Sequence, residues 1–321
     1  MHGRRKCSNF VASIFSKRDT LMNNFKAIPS GSKAIRFTKM HGLGNDYVYI
    51  LLSENSGLAD FGPEELSRLA RRISHRHFGV GGDGMVIIAP SREADFKMRM
   101  WNADGSEAQM CGNASRCVGK FVFDSGLTSS HDITLDTLAG IKRLHLHVER
   151  NEVQAVTVDM GEPELQPSRI PVVPDDDDSV PATLTVSREG APMRFTAVSM
   201  GNPHGVCFVP EITDSLVLGF GPEMENHPAW PQKANIEFAR VIDRSHVEMR
   251  VWERGTGETM ACGTGACATA VAAVLQGLAD RKVSVQLPGG SLLIEWDEAS
   301  GHVFMTGPAT ITAAGTYFHI C

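Results

Sequence analysis

The sequence has few of the features that mark membrane-bound, nucleic-acid-binding or disulfide-stapled proteins. Of its 321 residues, 42% are hydrophobic and 21% are charged, which is ordinary for a soluble globular chain. After the first 33 residues, 24 Lys/Arg stand against 36 Asp/Glu, and this acidic body argues against nucleic acid as the main partner. The seven cysteines are an odd number in a long chain without a secretory signal, which favours free thiols in a reducing compartment.

The sequence also has no long Leu-rich run. One stretch, Thr259 to Ala279, carries no charge over 21 residues, but it is rich in Ala and is interrupted by glycines, threonines and Gln276. A buried helix explains this composition better than a membrane span does. We therefore expect no membrane partner.

The first 33 residues differ from the rest of the chain. They contain seven Lys/Arg, one acidic residue (Asp19) and five serines. A transit peptide, a disordered leader and a misassigned start all have this composition. We therefore treat residues 1–33 as a leader outside the fold. A cytoplasmic location is the first expectation, and a plastid or similar organelle is the alternative if the leader is a transit peptide.

The body of the chain has many strand-like segments and few helical ones. FTKMHG (37–42) and DYVYILL (46–52) flank a glycine turn and indicate two strands. The segment from Pro63 to His77 indicates a helix, because proline suits a first helical position and apolar residues recur at helical spacing. Strands predominate again after residue 130, and the pattern predicts an α+β fold.

An internal repeat is the most informative feature of the sequence. Residues 98–113 read MRMWNADGSEAQMCGN and residues 249–264 read MRVWERGTGETMACGT, with six identities at a constant offset of 151. The matched residues include the scarce Trp and Cys, and a weaker echo relates Gly44-Asn45 to Gly201-Asn202. The chain is therefore predicted to be two copies of one domain. Each copy delivers one cysteine, Cys111 or Cys262, to the start of a helix.

Two such cysteines predict a particular chemistry. The unpaired N–H groups of a helix N-terminus bind anions and stabilise a thiolate, so we expect the thiol pKa to fall. Two thiols on opposite sides of a cleft suit removal of a proton from one face of a carbon and its return to the other. The N–H groups would stabilise the enediolate-like charge that develops. The prediction is racemisation or epimerisation without a cofactor or metal.

The cysteines and arginines of the sequence also allow other interpretations. Cys117, Cys207 and Cys267 are expected to be buried apolar residues. The C-x5-C and C-x4-C spacings do not suit structural zinc, for which C-x2–4-C is usual. A single cysteine nucleophile assisted by His204 leaves the second Cys-Gly unexplained. The repeat-related Arg99 and Arg250 are expected to form structural ion pairs.

From Phe37 to Tyr317 the sequence resembles the diaminopimelate epimerase family. The motifs are FTKMHGLGNDY, FGVGGDG, NADGSEAQMCGN, GNPH and VWERGTGETMACGTGACA, followed by a late GPA. The resemblance implies cofactor-independent conversion of LL- to meso-diaminopimelate for lysine and peptidoglycan synthesis. It also implies two pseudo-symmetric domains, each a barrel-like, mostly antiparallel sheet around a central helix. From it we expect a leader at 1–33, an N-terminal domain at 34–157 plus 304–321, and a C-terminal domain at 158–303. It leaves a homodimer open.

The resemblance also implies roles for individual residues. Cys111 and Cys262 match the two acid/base thiols, and His204 and Glu253 match residues that assist them. The expected substrate-binding residues are Asn45, Asn102, Gly112, Asn113, Asn202, Asn235, Glu253, Arg254, Gly263 and Thr264. Ala114 departs from the glycine usual in the family, and at Gly84 some members have Gln or Asn.

Two alternative functions remain at this point. A proline or hydroxyproline racemase-type isomerase shares the two-cysteine logic, but the Glu253-Arg254 pair and the asparagines suit a substrate with a second zwitterionic end. The alternative of another class is a catalytically silent amino-acid-binding protein on the same scaffold.

Overall fold

The computed structural model describes residues 32–176 and 180–320. The predicted leader lies outside the described residues except for Ser32 and Lys33, which open the first strand. Cys7, Cys321 and part of the acidic run Asp175 to Asp178 also lie outside them. The fold is mixed α and β, as the α+β prediction required, with strands in the majority.

The strands fall into two series that repeat one pattern. The first series is β1 (Ser32–Gly42), β2 (Asn45–Leu51), β3 (Gly84–Ala89), β4 (Phe96–Asn102), β5 (Glu107–Ala108), β6 (Asp132–Thr137), β7 (Gly140–Glu149) and β8 (Glu152–Asp159). The second series is β9 (Thr183–Arg188), β10 (Ala191–Ser199), β11 (Pro203–Phe208), β12 (Asn235–Asp243), β13 (His246–Glu253), β14 (Gly257–Glu258), β15 (Lys282–Leu287), β16 (Gly290–Trp296), β17 (Val303–Gly307) and β18 (Thr310–Ile320).

Four α-helices accompany these strands in the described part of the chain. They are α1 (Pro63–Ser74), α2 (Gly112–Asp124), α3 (Gly221–Glu225) and α4 (Gly263–Leu275). Short 3₁₀ turns lie at Leu52–Glu54 and Ser56–Leu58, and a π-helical turn at Ser215–Phe220 leads into α3. The predicted helix from Pro63 is present, with Leu66, Leu69, Ala70 and Ile73 on its buried face, but it ends at Ser74 rather than at His77.

The order of strand pairing confirms the duplication. In the first half β2 pairs with β3 in parallel, β3 with β4 antiparallel, β4 with β6 in parallel, and β6, β7 and β8 antiparallel in turn. In the second half β11 to β17 repeat the same sequence of parallel and antiparallel pairs. The two halves join where β17 pairs with β8, and β18 returns to pair with β1.

The repeat extends to side chains on the surface. Arg99 Nε lies 2.7 Å from Glu107 Oε1, and the equivalent Arg250 Nε lies 2.7 Å from Glu258 Oε1. Each pair spans the same antiparallel strand pair of its own half, β4 with β5 and β13 with β14. The expectation of structural ion pairs at both arginines is confirmed.

Each half packs its sheet around one buried helix. Every residue of α2 from Gly112 to Phe123 is buried, and α4 is buried over most of its length. The uncharged stretch from Thr259 thus forms a core helix of 13 residues, well below the ~20 residues that cross a bilayer. No helix within the described residues is long and apolar enough to span a membrane.

Candidate active site

The two repeat cysteines occupy the same position at the start of the two buried helices. Cys111 is the N-cap of α2 and Cys262 is the N-cap of α4, both in extended conformation. The cysteine carbonyls accept the first helical hydrogen bonds, from Ser115 N at 2.9 Å and from Ala266 N at 3.0 Å. Both sulfurs are therefore held at helix N-termini, as the sequence predicts.

The two helix starts meet at one cleft. Asn113 Nδ2 of α2 donates to the carbonyl of Ala261, the residue before Cys262, at 3.0 Å. Met305 packs behind both starts, because a Cβ added at Gly112 or at Gly263 would lie 2.5 Å or 3.0 Å from its side chain. The residues after the two cysteines are glycines for this reason. The cysteines line one cavity of about 390 Å³, here called the inner cavity.

The inner cavity brings together most of the site residues predicted from the sequence. Eleven of them line its wall: Asn45, Asn102, Cys111, Gly112, Asn113, Asn202, Glu253, Arg254, Cys262, Gly263 and Thr264. Apolar residues complete the wall, among them Met100, Met110 and Met200, which the sequence interpretation did not single out. The volume and the mixed lining are typical of a small-molecule site.

Asn235 and His204 stand behind this wall rather than on it. Asn235 is buried, donates to the Pro203 carbonyl at 3.0 Å and accepts from Arg254 N at 2.9 Å, so both ends of its amide are used within the protein. His204 is fully buried, and its Nε2 lies 3.0 Å from Asn202 Oδ1. Both residues are placed to position their neighbours.

A buried carboxylate that sequence reasoning missed completes this second layer. Glu237 is fully buried, and its Oε1 lies 2.7 Å from His204 Nδ1. Its other oxygen, Oε2, has no hydrogen-bond partner within the described residues. The available signal was a single acid inside the apolar strand NIEFARVI of β12. The series Glu237, His204 and Asn202 runs from the core to the cavity wall.

The Cys111 side of the cleft is organised around Asn45. The Cys111 thiol donates to Asn45 Oδ1 at 3.6 Å, and Asn113 Nδ2 donates to the same oxygen at 3.2 Å. Asn45 Nδ2 in turn donates to Asp83 Oδ2 at 2.8 Å, and Asp83 pairs with Arg76. The amide of Asn45 is thereby held in one orientation.

Glu253 reaches the Cys262 side of the cleft. Thr259 Oγ1 donates to Glu253 Oε1 at 2.5 Å. Burial raises the pKa of the Glu253 carboxyl, while hydrogen bonds to Thr259 and Cys262 act in the opposite direction. This carboxyl lies on the same cavity wall as the second thiol and influences its ionisation.

The expected lowering of the thiol pKa values is wrong. Burial raises the pKa of both Cys111 and Cys262, and this outweighs the N–H groups of Asn113 and Ala114 at the first thiol and of Gly265 at the second. Desolvation by the residues packed around the two sulfurs is the physical reason.

The other described cysteines are buried away from the inner cavity, in line with the apolar interpretation. Burial raises the pKa of Cys117 to about 11 and those of Cys207 and Cys267 to about 12. These three thiols will remain protonated and unreactive at neutral pH.

The sequence of this chain matches those of known proteins over most of its length. The family profile for diaminopimelate epimerase matches residues 37–166 and 196–312. The chain belongs to the diaminopimelate epimerase family. It is 54% identical over 275 residues to the diaminopimelate epimerase of Acetivibrio thermocellus, covering 86% of this chain and 95% of that protein. It is 53% identical to the diaminopimelate epimerase of Desulfovibrio desulfuricans, covering 89% and 99%. As a member of this family the chain is an isomerase.

A solved structure of an enzyme with a different name shares the fold of this chain. The hydroxyproline epimerase of Agrobacterium vitis superposes with a TM-score of 0.65 over 92% of this chain and 95% of that chain, at 14% identity. Identity this low shows the fold alone. The predicted fold of two duplicated α+β halves is confirmed.

Proposed function

We propose that this epimerase converts LL-diaminopimelate to meso-diaminopimelate by moving a proton between two thiols in the inner cavity. The observation that carries the proposal is the presence of Cys111 and Cys262, each the N-cap of a helix, on the wall of one cavity. The relatives at 50% identity or more are named for this substrate. Diaminopimelate is an intermediate of lysine and peptidoglycan synthesis.

The proton balance needs one thiolate and one thiol at the start. The thiolate takes the α-proton from one face of the carbon, and the electron pair spreads into the α-carboxylate. The thiol on the other side then donates its proton to the opposite face, which inverts the centre. The two sulfurs have exchanged protonation states at the end, and the reverse reaction restores them.

The helix starts supply the electrostatic help that this step needs. An α-hydrogen beside a carboxylate is weakly acidic, so the charge that develops on the carboxylate must be stabilised. Gly112, Asn113, Gly263 and Thr264 line the cavity at the starts of two helices, where backbone N–H groups have no acceptor within the helix. Fixed N–H donors at these ends stabilise a carboxylate that gains charge.

The remaining residues of the wall suit the polar groups of the substrate. Asn45, Asn102 and Asn202 offer amides for its ammonium and carboxylate groups. Arg254 is also on the wall, and its planar guanidinium suits the carboxylate at the far end of the molecule. His204 and Asn235 position this wall from behind, and Glu253 assists the second thiol.

Hydrogen exchange in deuterated water tests the two-thiol scheme. Cys111→Ala and Cys262→Ala should each lower epimerisation by about 10²–10⁴-fold, because each removes one proton-transfer group. Exchange of the α-hydrogen, measured separately from the LL and the meso isomer, should fall in each variant for the isomer whose α-hydrogen faces the missing thiol. Cys207→Ala, at a buried cysteine away from the cavity, is the matched control and should keep wild-type rates. Epimerisation at the full rate in either cavity variant, or full-rate exchange from both isomers, would disprove the scheme.

The alternative substrate is tested in the same assay. The fold is shared with a hydroxyproline epimerase, so proline and 4-hydroxyproline are the competing substrates. We expect no turnover of either. Turnover of proline with none of diaminopimelate would overturn the assignment, and binding without exchange would favour a silent binding protein.

We also propose that the two repeats act as two domains facing each other across the cleft. The predicted boundaries at 157/158 and 303/304 cut through β8 and β17, so the strand pattern supports a revised division. The first domain would comprise residues 34–159 with β18, and the second 160–307. Limited proteolysis of the whole enzyme with mass mapping tests the division.

The cellular setting is part of the proposal. A cytoplasmic location fits an enzyme that needs two reduced thiols, and the small-molecule substrate requires neither nucleic acid nor a membrane. Labelling of the full chain with a fluorescent protein distinguishes cytoplasm from an organelle. Light scattering of the purified enzyme measures whether it is a homodimer.

A further inference from the structure

Arg116 is a fully buried cation close to the inner cavity that the mechanism above does not use. It lies on α2, five residues after Cys111, with no exposed surface. Its Nη2 donates to Asn113 Oδ1 at 2.9 Å and its Nε donates to the Pro308 carbonyl at 3.3 Å. Within the described residues it forms no salt bridge with a carboxylate.

The fold makes room for this guanidinium. A Cβ at Gly42 would lie 2.9 Å from Arg116 Nη2, and a Cβ at Gly307 would lie 3.2 Å from Arg116 Nε. Both glycines therefore leave the space that the side chain fills. An unpaired charge is expensive to bury, so a position built to hold one indicates a function that uses the charge.

Arg116 is linked to both sides of the cleft through Asn113. The same Asn113 side chain that accepts from Arg116 donates to Asn45 Oδ1, the acceptor of the Cys111 thiol. It also donates to the Ala261 carbonyl, directly before Cys262. A change at Arg116 would free Asn113 to rotate, and both thiols would lose a fixed neighbour.

The repeat shows that the cation has no counterpart in the second half. At the offset of 151 the position of Arg116 corresponds to Cys267 on α4. The titratable groups that face Arg116 are Cys111 and Cys117 of its own helix, Tyr49 of β2 and Cys267 of α4. Arg116 thus acts electrostatically on titratable groups of both buried helices whose N-termini form the cleft.

We propose that Arg116 is a positioning residue of the reaction, which fixes Asn113 and Asn45 beside the Cys111 thiol and supplies the buried positive charge that balances the anionic states of the cleft. The charge is compensated when a thiolate forms or when the substrate carboxylate gains electron density. The inference rests on the two-thiol mechanism proposed above.

Two substitutions separate the charge from the hydrogen bond. Arg116→Gln removes the charge and keeps a donor, whereas Arg116→Lys keeps the charge and loses the planar contact with Asn113. The matched control is Lys120→Gln, because Lys120 is a buried cation one turn further along α2 but is paired with Asp124 at 2.7 Å. Each variant is assayed for kcat, KM, melting temperature and alkylation of Cys111 by iodoacetamide against pH.

The expected pattern distinguishes a functional role from a structural one. Arg116→Gln should lower kcat about 100-fold with a smaller change in KM, as expected for loss of preorganised stabilisation. It should also shift the alkylation profile of Cys111 upward by about one pH unit. Arg116→Lys should keep the wild-type alkylation profile and lose about tenfold in kcat. Lys120→Gln should lower the melting temperature and leave kcat and alkylation unchanged.

Three results would overturn the proposal. A folded Arg116→Gln variant with kcat and alkylation within twofold of wild type is the first. An equal loss of kcat in Lys120→Gln is the second. If Arg116→Gln does not fold, wild-type kcat in Arg116→Lys is the third, and a tenfold loss of kcat in Arg116→Lys with an unchanged alkylation profile of Cys111 supports the proposal. Any of these results with an inactive Cys111→Ala variant leaves the two-thiol mechanism standing, so the two failures are distinguishable.

Discussion

The surroundings of Cys111 and Cys262 differ more than the repeat around them does. Burial raises the pKa of both thiols. At Cys111 the positive charge of Arg116 then acts to lower the pKa, whereas at Cys262 the negative charges of Glu253 and Glu237 raise it further. Duplication has kept the position of the sulfurs, and the charges around them have diverged. We expect the free enzyme to hold Cys111 as the more acidic thiol and Cys262 as the protonated one.

Oxidation of Cys111 and Cys262 should remove the difference in acidity between them and should have the largest effect on activity. The two thiols share one cavity, so peroxide is expected to join Cys111 to Cys262 and reduce activity by more than about 100-fold, since both proton carriers are lost. Dithiothreitol should restore it. Mass mapping of the non-reduced enzyme identifies the bridge, with Cys207 as the internal control. Full activity after complete oxidation of both thiols would contradict their role as the two proton carriers.

Alkylation against pH should reveal the difference directly. Since both pKa values are raised, labelling by iodoacetamide should be slow at pH 7 and should increase as the pH rises. Cys111 should react at a lower pH than Cys262, and Cys267 should stay unlabelled throughout the range. Peptide mass analysis at each pH gives the order. Labelling of Cys262 at a lower pH than Cys111 would reverse the assignment of Cys111 as the more acidic thiol of the free enzyme.

Glu253→Gln should bring the pKa values of the two thiols closer together. Removing the carboxylate should lower the pKa of Cys262, because its negative charge no longer opposes the thiolate. The effect on Cys111 should be smaller, since burial, the neighbouring backbone N–H groups and Arg116 all act on its pKa more strongly than Glu253 does. We expect kcat to fall by about 10–100-fold as the hydrogen bond to the second thiol weakens. The test combines kcat with the alkylation order, and an unchanged profile for Cys262 would refute it.

Glu237→Gln should also lower kcat, but by less than Glu253→Gln does. The neutral amide oxygen of Gln accepts a weaker hydrogen bond from His204 than a carboxylate does, so the orientation of Asn202 is held less firmly and kcat should fall by about tenfold. Glu258→Gln is the matched control, because that glutamate forms an ion pair on the outside of the same half. Equal kcat in the two variants would show that the buried series has no part in turnover.

The smallest effects are expected where the halves are most alike. Glu107→Gln and Glu258→Gln each break a partly exposed pair with the same 2.7 Å geometry. Each should reduce the free energy of unfolding by about 0.2–1 kcal/mol. Urea unfolding measures both, and a difference of more than about 1 kcal/mol between them would contradict the equivalence of the halves at this position.

Much of this architecture follows from local sequence signals. Pro63 and the apolar spacing after it define a helix, and the repeated Trp and Cys define two equivalent halves with a thiol at each helix start. These features depend on neighbours in the chain, and the structure has them where the sequence predicts them.

The rest depends on contacts between distant segments. Nothing local shows that Glu237 lies behind Asn202, or that Arg116 shares Asn113 with the other half of the molecule. The expected fall in thiol pKa was wrong for the same reason. The helix N-termini are visible in the sequence, but the walls that desolvate the sulfurs come from both halves.

Asn113 and Met305 form a seam behind the two helix starts, and this seam has a consequence for how substrate enters and product leaves. It closes the cleft behind the two helix starts. A wider space of about 1080 Å³ shares Asn45, Tyr47, Asn102 and Glu253 with the inner cavity and provides a vestibule in front of it. The incoming isomer and the departing one can both pass through this vestibule and must occupy the same inner cavity. Each isomer will act as a simple competitor of the other, and the net flux will follow whichever is drained away by the next step of metabolism.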